Sequence, residues 1–464
     1  MKGTGPHIVK SSLFTLLQFA FPLFSLAWVS RALGPEVYGD WQWVENLCRF
    51  AVVFSALGIP WYGVKAIAQA GNEEKKTQTL LELMLVQVGV LLAISLTQAL
   101  VFFNDPRVTP LGPWPFLYIL SQGFLLEWYF QGQQQYRYLL TRTALLRLCG
   151  LFFLFTLVRQ TQDVGVVFPI LFFINLGLGL WNLAALWPQL KVTKATQLQF
   201  RPHLKPLFHL ALAGFAVAAY THSEIAFLGH YQDAQSVSFY AVNSKILRFA
   251  LLFLGGLAPV FLVQFSQNNA PLEQATALTL LYSLPVALFL SINSAEVVAL
   301  IAGPEYAAAS PFLTQLALGL PLIGLSGLFG TQYLLSRQQT RAWLWAALMG
   351  LGINLIANFY LVPRWGLAGA TWTTLLTEAI VCLLCYSVVA SQLPMAILAK
   401  LLPQVLLILL PGLILVLGIR QLNLHPWVCL GSGAFFYFGS LTILALKSPW
   451  FGPTLSTLFK RHEI

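Results

Sequence analysis

Charged side chains stand inside stretches of this sequence that are otherwise apolar. Asp40, Glu45 and Arg49 fall within residues 37–58, His222 and Glu224 within 207–229, Lys245 and Arg248 within 236–265, and Glu378 within 367–390. A charge at the centre of a bilayer costs about 2.5–3.5 kcal/mol on insertion scales, so each of these must face a partner or a wet cavity. Gln42, Glu45 and Arg49 recur at i, i+3 and i+7 and share one helical face, as Lys245 and Arg248 do at i, i+3. At ~1.5 Å per residue, Arg49 and Arg248 each lie about 18 Å from the outer end of their stretch, close to the bilayer midplane. A guanidinium fork suits phosphate, and a lysine beside it adds a compact point charge. If the faces meet, three cations converge on one anionic group. The same residues admit a purely structural reading, in which Glu45 pairs with Arg49 one turn away and Lys245 and Arg248 neutralise Glu224. Two arginines at matching depth favour the cavity, since generic pairing has no reason to repeat. Asp40 and Glu378 serve as well as interfacial or capping carboxylates, and His222 has the weakest claim. No Walker loop, HExxH or nucleophile elbow occurs, so ATP-driven transport by this chain alone is not expected. The CxxC of Cys382 and Cys385 lies in an apolar run without nearby histidines and reads as packing, and no disulfide framework is expected.

The elements that must position these charges are membrane helices. Of 464 residues, 58% are apolar and only 9% are charged, a balance that excludes a water-soluble chain of this length. Runs of about twenty apolar residues, each enough to cross a ~30 Å hydrocarbon core, follow one another to the C-terminus. Cutting at polar and Gly/Pro punctuation predicts fourteen spans near residues 8–30, 37–58, 79–103, 114–130, 143–158, 166–187, 207–229, 236–265, 274–301, 312–335, 342–362, 367–390, 403–419 and 427–446. The first run exceeds the apolar core of a signal peptide and has no small-x-small cleavage site, so it reads as a retained span. With the N-terminus inside, one set of loops, both tails and the start of the fifth span hold 18 Lys and Arg, Arg137, Arg142 and Arg147 among them, against 5 on the other side, which places both termini in the cytoplasm. The loop Ser266–Glu273 has no cation and is the weakest point of that topology. A net charge of +10 strung through short loops on one side meets anionic lipid heads and forms no basic domain for nucleic acid.

An internal repeat accompanies the charges. Arg49–Pro60 reads RFAVVFSALGIP and Arg248–Pro259, 199 residues later, reads RFALLFLGGLAP. Six spans separate the copies, so both run in the same direction. That predicts an all-α polytopic membrane protein with two parallel six-helix repeats, an N-terminal lobe over 1–200 and a C-terminal lobe over 201–400, followed by two further helices and a tail over 401–464. Parallel repeats suggest a transporter.

SRALGPEVYG (Ser30–Gly39), LGIPWYGVKAIA (Leu57–Ala68), EWYFQGQQQYRYL (Glu127–Leu139), Val158 with Asp163, GPEY (Gly303–Tyr306) and LVPRWGLAGATWTTLLTE (Leu361–Glu378) stand in this order. Together they resemble the Wzx-type O-antigen and polysaccharide flippases of the MOP superfamily, which also holds MATE exporters and lipid II flippases. The resemblance spans about residues 8–390. It implies two six-helix lobes around a central cavity in the bacterial inner membrane, and no enzymatic activity. The implied cargo is an oligosaccharide on a polyprenyl pyrophosphate carrier, moved from the cytoplasmic to the periplasmic leaflet, with polysaccharide polymerase machinery as a further partner. Lipid II flippases line their cavity with arginines on spans two and eight, so the pyrophosphate-binding role carries over to Arg49 and Arg248, and more loosely to Lys245. A coupling ion, H+ or Na+, would have Glu224 or Asp40 as carrier, with Glu45 and Glu378 as further cavity charges.

Two rival functions follow from the same residues. A MATE-like exporter of small cationic compounds would want carboxylates facing its cargo, against which midplane arginines argue. A membrane polymerase or ligase needs an organised external face, and the longest external loop, Asn104–Pro113, is only about ten residues.

Overall fold

In lipid every backbone N–H and C=O must be satisfied within its own segment, so long apolar stretches punctuated only by Gly and Pro fold as helices. The computed structural model describes residues 5–192, 198–252, 272–421 and 426–447, with Leu254, Phe261 and Phe265, and no strand occurs among them. The chain divides into two units, Met1–Ala241 and Val242–Ile464. Among the described residues six helices are long and apolar enough to cross a membrane, and a bent pair adds a seventh if taken as one span.

The first unit opens with α1 (Gly5–Ala56), which runs through both of the first two expected spans. Gly34, at φ 72° and ψ 168°, breaks it into two arms just before Pro35. Only glycine adopts that conformation cheaply, and the proline ring then presets the second arm. There follow α2 (Ile59–Gln69), α3 (Glu73–Phe102), α4 (Trp114–Ser121), α5 (Glu127–Gly132), α6 (Tyr136–Leu157), α7 (Val164–Val192), α8 (Arg201–Tyr231) and α9 (Ala234–Ala250), which crosses the boundary between units. The Asn72 side chain caps α3 by accepting the Lys75 amide at 2.9 Å, and Glu73 and Glu74 complement its dipole.

Two expectations need correction in this unit. The fourth span, expected unbroken over 114–130, is interrupted by a 3-10 turn at Gln122–Phe124 and by Leu126 in the left-handed region, so Glu127 begins a new helix. The fifth was expected to start at residue 143, with Arg137 and Arg142 as loop cations. Instead α6 begins at Tyr136, and Arg142 is fully buried 3.7 Å from Glu127. A loop count of charges misses this because hydropathy is blind to an ion pair formed across a helix junction.

The second unit continues with α10 (Leu272–Ile292), α11 (Ser294–Ile301), a 3-10 segment (Pro304–Ala309), α12 (Ser310–Ala317), α13 (Leu320–Gly327), a π-helical stretch (Leu328–Leu334), α14 (Thr340–Val389), α15 (Met395–Gln421) and α16 (Pro426–Lys447). Expected spans 342–362 and 367–390 are the two arms of α14, joined through Gly366 at φ 53° and ψ −127°. The stretch expected as one span over 312–335 is instead a pair of helical segments bent by 45°. The final two helices, whose role the sequence leaves open, pack on the unit: Leu401, Val405 and Leu409 of α15 and Tyr437 of α16 join Leu280, Leu281 and Phe289 of α10 in one apolar core. Leu407, Ile414 and Phe435 on their other faces are exposed, as lipid-facing side chains are.

The loop Ser266–Glu273 is described only from Leu272, and the repeat copy Arg248–Pro259 only to Leu252 and at Leu254, so the rest of both lies outside the described residues. A different pair of segments carries the same local geometry in each unit. Gln134, at φ 58°, precedes α6 and Gln338, at φ 60°, precedes α14. In the first turn the Gln135 amide donates to Phe130 O at 2.9 Å, and in the second the Gln339 amide donates to Leu334 O at 2.9 Å. A left-handed glutamine costs about 1–2 kcal/mol, and its recurrence in the same kind of helix junction marks a repeated unit.

Candidate functional site

Arg49 lies on the second arm of α1, one turn beyond Glu45. Glutamate preceding the cation at i, i+4 is the favourable order on a helix. Both Nε, at 2.8 Å, and Nη2, at 2.5 Å, donate to Glu45 Oε1. The carboxylate is sealed in, with 6% of its side chain exposed, while the guanidinium is 39% exposed. A guanidinium offers five N–H donors, so three of them find no acceptor among the described residues. The pair therefore fixes the fork in place and leaves it able to take an oxyanion.

Neighbouring helices set the direction of that arm. Asn46 Nδ2 donates to His222 O of α8 at 3.0 Å, Gln98 Nε2 of α3 donates to Leu47 O at 3.0 Å, and Cys48 Sγ approaches Pro115 O of α4 at 3.7 Å. Tyr118 of α4 lies within electrostatic reach of Arg49, Glu45 and Arg147. Arg147 of α6 is half-buried, its guanidinium 5.5 Å from the centre of the Phe21 ring, and feels Glu127 and Arg142 in turn. Arg142 Nη2 reaches Leu125 O at 3.5 Å, and Asn182 Nδ2 donates to the same carbonyl. One unit thus holds Arg49, Arg147 and Arg142 with the carboxylates Glu45 and Glu127. By sequence alone Arg147 and Arg142 count among the cations that set topology. The signal that could have separated them was the carboxylate of Glu127 in the midst of an aromatic run.

The remaining candidates are distributed through the fold. Asp40 is half-buried near the start of the same arm, where its charged neighbours are Arg107, Asp105 and Glu36. Arg107 forms a lock there. It lies 3.4 Å over the Trp43 ring, bonds Asp105 through Nε and Nη2 at 2.9 and 2.8 Å, and donates from Nη1 to Gly229 O at 2.9 Å. Hydrogen bonds from that guanidinium hold the Asp105 carboxyl below the usual carboxylate range. Glu224 of α8 is buried.

In α9, Lys245 and Arg248 are half-buried. Asp233 Oδ1 accepts the Ser236 amide at 2.8 Å at the start of that helix. Arg248 follows Asp233 by fifteen residues, as Arg49 follows the Gly34 break by fifteen, each about 22 Å along its own helix. Glu378, on the second arm of α14, is buried and accepts the Ser326 hydroxyl at 3.1 Å. One residue away Thr377 accepts Asn354 Nδ2 at 3.1 Å, and Asn354 Oδ1 accepts Asn358 Nδ2 at 3.0 Å, so asparagines tie the two arms of α14 together. Cys382 and Cys385 are buried free thiols.

The profile of the polysaccharide biosynthesis protein family matches residues 8–264, more than half of the chain. A relative in Escherichia coli (strain K12), described as a candidate O-antigen transporter, is 24% identical over 386 residues, covering 78% of this chain and 91% of that protein. Among solved structures, a lipid II flippase MurJ in an inward closed conformation superposes with a TM-score of 0.71 at 17% identity, covering 94% of this chain and 98% of that one. An inward-facing multidrug resistance MATE family transporter of the MOP superfamily gives 0.62 at 14% identity, covering 85% and 98%. These superpositions establish an all-α multi-span fold shared by flippases and exporters.

Proposed function

Because the chain belongs to the polysaccharide biosynthesis protein family, we propose that it is a flippase of the Wzx type, moving lipid-linked polysaccharide units across the bacterial inner membrane. The relative described as an O-antigen transporter and the fold shared with a lipid II flippase support that reading. The finer proposal is that the cargo is an oligosaccharide on polyprenyl pyrophosphate, carried by alternating access from the cytoplasmic to the periplasmic leaflet, with both termini in the cytoplasm. The chain is a transporter and not an enzyme.

The observation that carries the cargo assignment is the Arg49 fork, held by a sealed Glu45 while three N–H groups stay open to an oxyanion. Pyrophosphate presents paired oxygens that match such a fork. Arg248 and Lys245 offer the second unit's cations for the same chemistry. The prenyl tail stays in lipid, where it costs nothing to keep it, and the sugar crosses in water. A coupling ion, H+ or Na+, would use Glu224 or Asp40, with Glu45 and Glu378 as further charges. A fold shared with MATE exporters does not by itself decide between cargoes, but a cation exporter would aim carboxylates outward, whereas Glu45 is covered and its arginine is the open partner.

The test is the lipid extract of a strain lacking this protein. The expected result is an accumulated polyprenyl-pyrophosphate glycan confined to the inner leaflet, with unchanged sensitivity to cationic drugs. An unaltered lipid-linked pool together with heightened drug sensitivity would transfer the protein to the exporters.

A further inference from the structure

The polar face that carries Arg49 continues along the second arm of α1 to Gln42. Seven residues make close to two turns, so Gln42 and Arg49 stand about 20° apart around the helix and about 10 Å apart along it. The arm packs on its neighbours along two other stripes. Toward α8 and the start of α9 it turns Gly39, where a Cβ would strike the Ala234 carbonyl, Trp43, whose ring a Cβ on Gly229 would strike, and Asn46, bonded to His222 O. Toward α4 and α7 it turns Cys48, beside Pro115 O, and Trp41, whose ring centre lies 5.8 Å from that of Phe168. Gln42 falls between these stripes, on the side of the helix that holds the Arg49 fork.

Gln42 is buried, and neither its Nε2 nor its Oε1 has a hydrogen-bond partner among the described residues. Amides that tie helices together in this unit are bonded. Asn46 Nδ2 donates to His222 O at 3.0 Å, and Asn182 donates from Nδ2 to Leu125 O while its Oδ1 accepts the Tyr138 hydroxyl at 2.9 Å. Gln42 makes no bond of either kind. A covered amide with an idle donor and an idle acceptor costs free energy in this conformation, and the cost is relieved when the face opens and a matching group enters.

The chemistry of the amide says what would match it. An ionised phosphate oxygen only accepts, so it would leave Oε1 idle. A hydroxyl both accepts and donates, and two neighbouring hydroxyls of a sugar ring satisfy Nε2–H and Oε1 together. Position agrees with this chemistry. In a glycan linked through pyrophosphate the first sugar is bonded directly to the phosphate, so a fork that grips the pyrophosphate brings that sugar next to the same helix face. On the expected topology Gln42 lies on the periplasmic side of Arg49, ahead of the pyrophosphate in the direction of transport.

Resting on the cargo reading above, we propose that Gln42 is a specificity-determining residue, which hydrogen-bonds the hydroxyls of the sugar adjoining the pyrophosphate in the state that opens this face. Arg49 takes the group common to all such lipids. Gln42 distinguishes a sugar-bearing lipid from bare polyprenyl pyrophosphate.

The experiment measures binding to the purified full-length protein in lipid nanodiscs with two probes. One is geranyl pyrophosphate, which has no sugar, and the other is the polyprenyl-pyrophosphate glycan isolated from a strain lacking this protein. Gln42→Leu is expected to weaken binding of the glycan lipid about tenfold, as the loss of two neutral hydrogen bonds requires, and to keep its affinity for geranyl pyrophosphate. The same variant is expected to melt no lower than the wild type, since leucine removes two idle polar atoms from a covered place. Gln42→Asn, whose amide is drawn back by one carbon, should fall between in affinity for the glycan lipid. Unchanged glycan-lipid affinity in Gln42→Leu marks an amide that holds only trapped water and overturns the proposal. An equal loss for both probes, or a lowered melting temperature, marks a structural tie and overturns it as well. In each of these cases the cargo reading stands, whereas a strain that accumulates no glycan lipid, or a wild type that binds neither probe, removes the cargo reading and this one with it.

Discussion

Replacing Arg49 by alanine removes two things that the structure allows to be measured apart. The first is the anion contact. A bidentate oxyanion would use two charge-assisted hydrogen bonds of about 1.5–3 kcal/mol each, so their loss should weaken pyrophosphate binding about 100- to 10,000-fold. The second is the partner of Glu45. That carboxylate has only 6% of its side chain exposed and would lose the guanidinium that offsets its charge. Breaking a fully buried pair costs about 3–5 kcal/mol, but the guanidinium is 39% exposed, so a cost of about 1–3 kcal/mol is expected here. In Arg49→Ala/Glu45→Gln the buried negative charge is gone, so stability should return while binding stays lost. Arg49→Lys keeps the charge and loses the fork, and should fall between, near 10- to 100-fold. The assay is titration of purified protein with geranyl pyrophosphate, beside thermal stability in detergent and complementation of a strain lacking the protein. Full complementation by Arg49→Ala/Glu45→Gln, or unchanged geranyl pyrophosphate affinity in that variant, would refute the role assigned to Arg49.

Two further outcomes test the frame around the site. Asp105 is held below the usual carboxylate range by Arg107, so its contribution to stability is present above the unfolded value near ~3.9 and is lost as pH falls through the lower folded value. Thermal unfolding of the wild type from pH 6 to 3 should accordingly show a loss that Asp105→Asn lacks, and parallel curves would dismiss the lock. Gly366 joins the arms of α14 at φ 53° and ψ −127°, so Gly366→Ala should cost about 1–3 kcal/mol, read as a lowered melting temperature, whereas Gly418→Ala in α15, with open space around its Cα, should not.

Much of this architecture was legible in the amino-acid order. Composition and hydropathy dictate membrane helices, because lipid leaves the backbone no other way to satisfy itself. The Gly-Pro at Gly34–Pro35 and the Gly366 region marked span ends, since few other residues interrupt a helix so sharply. The i, i+4 spacing of Glu45 and Arg49 already implied their pairing, as helical geometry is local. The tertiary structure decided the rest. Arg142 reads as a loop cation until α5 is seen to bring Glu127 to it. Nor could spacing say which member of the Glu45–Arg49 pair stays open, because burial is set by the helices that pack around it and not by the residues themselves.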